Sequence, residues 1–214
     1  YFLSFAHDNQ KYSYAASFGV ADISDVKAMQ LRPLLKNFQS FSVREKSALN
    51  IVKKITGKNG VCHIDPTLLL KKDEWQKISV KKIDKPYILV FNVKPVKSLI
   101  DFAEKLSKKA KIPVVYITDN PQKKRKNFTY VSAPTVEEFL GYFANADYTV
   151  TNSYHGTAFS VIFHKNMFVE YETAKGFNHR AKNLLQTIGI NREIKDGEAV
   201  TTDIDWNKVD NILQ

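Results

Sequence analysis

Apolar positions along this chain switch repeatedly between two periods, and the switches mark its elements. Short apolar or alternating runs predict strands at Lys11–Ser17, Ser40–Arg44, Val61–Ile64, Tyr87–Val93, Val114–Thr118, Phe128–Val131, Tyr148–Thr151 and Met167–Tyr171. Between them, apolar residues three and four apart predict amphipathic helices. Glu45–Ile55 puts Ala48, Ile51, Val52 and Ile55 on one face and stops at Gly57. The stretch after Val96 does the same with Leu99, Ile100, Ala103 and Leu106, and Thr135 with Glu138 makes a capping box that opens Val136–Asn145. Further helices are predicted at Val26–Phe38, where Pro33 marks an interruption, and at Thr157–His164, Arg180–Ile188 and Asp205–Leu213. Val61–Ile64 reads as a buried strand closed by the turn formers Asp65-Pro66.

Strands alternating with helices imply parallel βαβ units and an α/β fold. Residues 86–214 supply a complete doubly wound domain. Residues 1–85 supply about three strands, a partial N-terminal lobe, and the Lys-rich stretch 71–85 reads as a linker. The chain begins Tyr1-Phe2-Leu3-Ser4-Phe5, which has no signal-peptide pattern and reads as the interior of a longer protein. At 214 residues there is enough chain to bury a core. A single cysteine, Cys62, excludes an internal disulfide framework and fits a reducing, cytoplasmic compartment. No apolar run reaches the length of a membrane span.

The net charge of +10 is unevenly placed. Residues 71–126 carry 16 basic and 6 acidic residues, whereas 127–214 carry 7 and 11. Such a stripe can be a solvated surface or can meet an anionic partner. Aromatics interleaved with it, as in single-strand nucleic-acid binders, are not evident, so nucleic acid is not an expected partner.

Ligands of open α/β sheets bind at the carboxyl ends of strands. Three such ends carry polar groups: Ala15 to Gly19 with Ser17, Ser42 to Glu45 with Arg44, and Thr151 to Thr157. The last gathers Asn152, Ser153, His155, Gly156 and Thr157 in one strand-to-helix turn. His155 there suits proton transfer near neutral pH, and helix N–H groups suit an anion. Equally, Asn152 and Ser153 would serve as a helix cap. Arg44 could clamp a carboxylate or phosphate, or pair with Glu45. Asp65 reads as a turn former, His63 as a core or rim histidine, and Arg180 as a second candidate anion ligand. GxGxxG, P-loop, HExxH and GxSxG patterns are absent, so no metal or cofactor site is indicated.

These segments together resemble the polysaccharide pyruvyl transferase family. The likeness rests on Tyr14 to Gly19, on Ser42-Val43-Arg44-Glu45, on Asp65-Pro66-Thr67-Leu68-Leu69 with Trp75, on Ala144 to Ser160 including Asn152-Ser153-Tyr154-His155-Gly156-Thr157, and on Arg180. It implies two Rossmann-like lobes similar to GT-B glycosyltransferases, with the site in the cleft between them and the N-terminal lobe incomplete here. It also implies transfer of the pyruvyl group of phosphoenolpyruvate onto a sugar of a bacterial exopolysaccharide or cell-surface glycan precursor. The acceptor would be a glycan or lipid-linked saccharide, with peripheral contact to an anionic membrane face. His155 matches the family's histidine, and Arg44 and Arg180 fall at matching cationic positions. Better-known members carry an Arg two residues before that histidine. Here the position is Ser153, and Lys175, Arg180 or the upstream segment missing from this lobe would supply the charge. The alternatives are a GT-B-like glycosyltransferase using a nucleotide sugar and a non-catalytic glycan- or anion-binding module.

Overall fold

A computed structural model describes residues 2–119, 124–171, 179–199 and 202–213. It divides into two compact units, one holding residues 2–66 with His179 and Arg180, the other holding the rest from Thr67 onward.

Unit 1 is a three-stranded parallel sheet with two helices. Its elements are β1 (Tyr12–Ala16), α1 (Asp25–Leu35), β2 (Ser40–Val43), α2 (Lys46–Thr56) and β3 (Val61–Cys62), and the strand order is β1-β2-β3. Ser24 caps α1, its Oγ accepting from the Lys27 N–H at 3.2 Å. Pro33 lies inside α1 rather than ending it. It sits in the last turn, where the missing N–H costs one bond, and the Arg32 carbonyl still accepts from the Lys36 N–H at 2.9 Å. Helix α2 buries Ala48, Ile51, Val52 and Ile55 against Phe41 and Val43, and ends at Gly57 with φ of 74°. The expected buried strand at Val61–Ile64 is instead a two-residue outer strand paired only to β2, with Val61 exposed.

Unit 2 runs α3 (Lys72–Ile78), β4 (Ile88–Phe91), α4 (Lys97–Ala110), β5 (Val114–Ile117), β6 (Phe128–Val131), α5 (Val136–Asn145), β7 (Tyr148–Thr151), α6 (Tyr154–Ile162), β8 (Asn166–Val169), α7 (His179–Thr187), β9 (Ile194–Lys195), β10 (Glu198–Ala199) and α8 (Trp206–Leu213). His179 and Arg180, at the start of α7, group with unit 1. The main sheet is wholly parallel in the order β6-β5-β4-β7-β8, a Rossmann-like arrangement. Alternate residues feed two cores. Ile88, Val90, Tyr116, Val150 and Phe168 pack with Leu99 and Ala103 of α4. Leu89, Val115, Ile117 and Met167 pack with Phe143 of α5, Ala158 and Phe159 of α6 and Leu185 of α7.

The sequence boundary at residue 85 moves to Pro66/Thr67, because the Lys-rich stretch is not a linker. Leu68 is buried in the core of unit 2, and Trp75 and Ile83 pack against it. Trp75 meets Phe159 edge-on at 5.4 Å and its Nε1 donates to the Thr67 carbonyl at 3.0 Å. The Val80 N–H donates to the Glu137 carbonyl at 2.9 Å, and a Cβ on Gly141 would come within 1.8 Å of the Val80 oxygen. A few apolar side chains thus anchor a segment whose surface is lysine. Helix α6 also differs from expectation. It begins at Tyr154, so that His155 lies in its first turn.

Candidate active site

The strand order of unit 2 reverses between β4 and β7, which makes the carboxyl ends of these two strands the switch point where a ligand crevice is expected. The segment Thr151–Thr157 leaves β7 at that point. Ser153 is the N-cap of α6, its Oγ accepting from the Gly156 N–H at 3.3 Å. The Thr157 hydroxyl donates back to the Ser153 carbonyl at 2.9 Å, and the Ser160 hydroxyl bonds the Gly156 carbonyl and Thr149 Oγ1, both at 2.7 Å. Asn152 braces the loop after β4. Its Oδ1 accepts from the Val93 N–H at 3.1 Å and its Nδ2 donates to the Lys94 carbonyl at 3.0 Å. Thr151 Oγ1 donates to the Phe91 carbonyl at 2.5 Å and accepts from the Ser153 N–H at 3.0 Å.

These polar groups therefore satisfy one another, as buried polar groups must. Within α6 every residue is buried except His155. Gly156 lies where α6 meets the end of β7. A Cβ there would lie 2.2 Å from Thr151 Oγ1 and 3.2 Å from Phe91 Cδ1, so its bareness lets helix meet strand. Asn152, Ser153, Gly156 and Thr157 form a frame whose single side chain presented to solvent is the imidazole of His155, in edge contact with the Tyr154 ring at 5.3 Å.

In unit 1 the ends of β1, β2 and β3 lie side by side. Arg44 Nε donates to the Ala15 carbonyl at 2.9 Å, and its NH1 pairs with Asp65 Oδ2 at 2.5 Å. Asp65 is thus the buried counter-ion of Arg44 rather than simply a turn former. The Ala15 N–H donates to Ser42 Oγ at 3.0 Å, and Ala15 holds φ of 45°. A left-handed alanine costs on the order of 1–3 kcal/mol and persists where its surroundings over-determine it, here from both sides of the peptide. Ser17 Oγ donates to Glu45 Oε1 at 2.8 Å and accepts from the Gly19 N–H at 3.0 Å. Glu45 is buried, and its pairing with Ser17 rather than with Arg44 is the arrangement that residue spacing did not reveal.

Arg180 stands half-buried in the first turn of α7, and Lys175 lies outside the described residues. Among the described residues no three His, Cys, Asp or Glu side chains gather as a metal site requires. No helix among them is long and apolar enough to cross a membrane.

A family model described as polysaccharide pyruvyl transferase matches residues 1–171, a span that includes Ser17, Arg44 and the whole 151–157 turn and stops short of Lys175 and Arg180. No curated protein matches the chain.

Proposed function

The chain belongs to the polysaccharide pyruvyl transferase family, and from that premise we propose that it transfers the pyruvyl group of phosphoenolpyruvate, as a ketal, onto a sugar of a cell-surface glycan precursor. That it is a transferase with a glycan acceptor follows from the family. The donor and the chemistry are our reading, and one observation supports it: His155 is the sole exposed side chain of α6, held at a sheet switch point by a buried frame.

The reaction needs an acid that protonates the methylene carbon of the donor. An imidazolium does this as the C=C electrons take its proton and C2 becomes oxocarbenium-like. One sugar hydroxyl adds to C2. A second adds as the C–O bond to phosphate breaks with its electron pair on phosphate. Of the two hydroxyl protons, one restores the imidazolium and the other leaves with phosphate. We assign the acid to His155 and donor charge recognition to Arg180, with Lys175 replacing the arginine that Ser153 lacks. Arg44 enters with a reduced role. Its charge is answered by Asp65 and its Nε by the Ala15 carbonyl, so it acts by locking the three strand ends of unit 1. Ser17 orders the turn after β1 through Glu45.

The acceptor, if lipid-linked, would bring the enzyme to an anionic membrane face. The exposed lysines Lys97, Lys105, Lys108 and Lys109 of α4, with Lys111 after it, supply a surface for this, each worth about 1 kcal/mol near such lipid.

The test is phosphate release from phosphoenolpyruvate by the full chain with a panel of glycosides. His155→Gln is expected to lower turnover on the order of 100-fold or more. Unchanged turnover removes His155 from the acid role. Binding of a nucleotide sugar in place of phosphoenolpyruvate would instead support a glycosyltransferase.

A further inference from the structure

His63 directly follows β3, at the same sheet edge as Arg44 and Ser17, and takes no part in the chemistry assigned above. It is exposed, not in the core. Three contacts fix it. Its Nδ1 lies 2.9 Å from Ser42 Oγ. Ser42 is buried, and the Ala15 N–H holds its Oγ from the other side. The imidazole stacks on the Tyr14 ring, centroids 5.5 Å apart and planes 29° apart, across the small Ser42 side chain of the central strand. An exposed imidazole is ordinarily free to turn. This one is held at one nitrogen and one face, which leaves Nε2 toward solvent. A side chain held in this way presents its polar atom in a fixed direction, which lowers the ordering cost of binding a hydroxyl.

The surroundings select the ligand. Arg44 is neutralised by Asp65, and Glu45 is a buried carboxylate at the start of α2. The Cys62 thiol beside His63 is pushed above its ordinary value by desolvation and then by the Glu45 charge, against a smaller pull from Lys46. A phosphate or carboxylate gains little there. A neutral polyol fits better, and Tyr12 and Tyr14, exposed at 59% and 51% on β1, offer ring faces for the C–H side of a sugar.

We propose that His63, anchored by Ser42 and backed by Tyr14, binds a hydroxyl of the saccharide acceptor. The role rests on the pyruvyl-transfer reading, but recognition of the saccharide can be measured without the donor. The titratable and charged groups on the surrounding elements are Tyr14 on β1, Arg44 after β2, Glu45 and Lys46 at α2, and Cys62 and Asp65 on its own segment.

The experiment follows the side-chain nitrogens of His63 by NMR in the full chain, identified by their loss in His63→Gln. The probes are methyl glycosides of the common hexoses and N-acetylhexosamines. At least one glycoside is expected to shift these signals saturably, and to bind His63→Gln about tenfold more weakly. Ser42→Ala should alter the tautomer of His63 and weaken glycoside binding by a smaller factor, and the exposed control His7→Gln should leave binding unchanged. If no glycoside moves the His63 signals, or if His63→Gln binds it as tightly as the parent chain, the proposal is overturned. Failure of phosphoenolpyruvate to bind or turn over, with glycoside binding at His63 intact, would instead overturn the pyruvyl-transfer reading.

Discussion

Replacing Gly156 with alanine tests whether α6 is packed on β7 as tightly as its buried frame requires. The added Cβ would sit 2.2 Å from Thr151 Oγ1 and 3.0 Å from Thr151 Cβ. Thr151 cannot rotate away cheaply, because its hydroxyl donates to the Phe91 carbonyl and accepts from the Ser153 N–H. Either the helix shifts, an overpacking cost of about 1–3 kcal/mol, or the hydroxyl swings out and leaves buried groups unpaired, at about 1–3 kcal/mol each. Alanine recovers roughly 0.5–1 kcal/mol of helix propensity over glycine. The cheaper route sets the outcome, so the net loss is roughly 1–2 kcal/mol. Both tryptophans belong to unit 2, Trp75 against Phe159 and Trp206 stacked on His164 at 4.7 Å. Urea unfolding followed by tryptophan fluorescence therefore reads this unit. The midpoint should fall with the slope unchanged, and Thr151→Ala in the same chain should restore part of the loss, because the obstructing hydroxyl is gone. A loss below about 0.5 kcal/mol, within the range of ordinary surface changes, would refute the packing argument.

Three further outcomes are expected. Asp65→Asn removes the buried partner of Arg44 and should cost about 3 kcal/mol, seen as faster hydrogen exchange at the β2 amides, whereas unchanged exchange would show that the pair holds nothing. Burial, and secondarily the Glu193 charge, push the Tyr171 hydroxyl from 10.0 to about 12. The folded state thus keeps this proton longer than the unfolded state, and the associated stability is complete below pH 10 and lost as pH rises to about 12. Tyr171→Phe should flatten the fall in stability across that window. Vesicles containing phosphatidylglycerol should retain the chain at low salt and release it at high salt, and replacing Lys105, Lys108 and Lys109 with glutamine should abolish retention.

The strands and helices of unit 2 were legible because both faces of its parallel sheet are buried. Runs such as Ile88 to Phe91 and Val114 to Ile117 are continuously apolar, and the Thr135–Glu138 box marks a helix start without ambiguity. The 71–85 segment was not legible, since Trp75 and Leu68 anchor it by single contacts that no period exposes. The β9–β10 hairpin carries an Asp196-Gly197 turn signal, both residues at positive φ, but its strands are too short to show alternation. In the 151–157 turn, His155 stands out in the sequence by its motif. That it is exposed while the rest of α6 is buried does not, because that burial depends on what packs around the helix. Asp65, Glu45 and His63 gain their partners from strand neighbours far away in sequence. Residue spacing holds no trace of such pairing, and it needs the parallel register of β1, β2 and β3 to appear.

Donor recognition is the claim on which the rest depends, and thermal unfolding of the full chain with phosphoenolpyruvate, set beside a panel of nucleotide sugars, measures it directly. A ligand bound by the folded state raises the midpoint by mass action. A rise with phosphoenolpyruvate that is lost in Arg180→Ala, with no rise from nucleotide sugars, is the predicted result. A rise with a nucleotide sugar and none with phosphoenolpyruvate would contradict it.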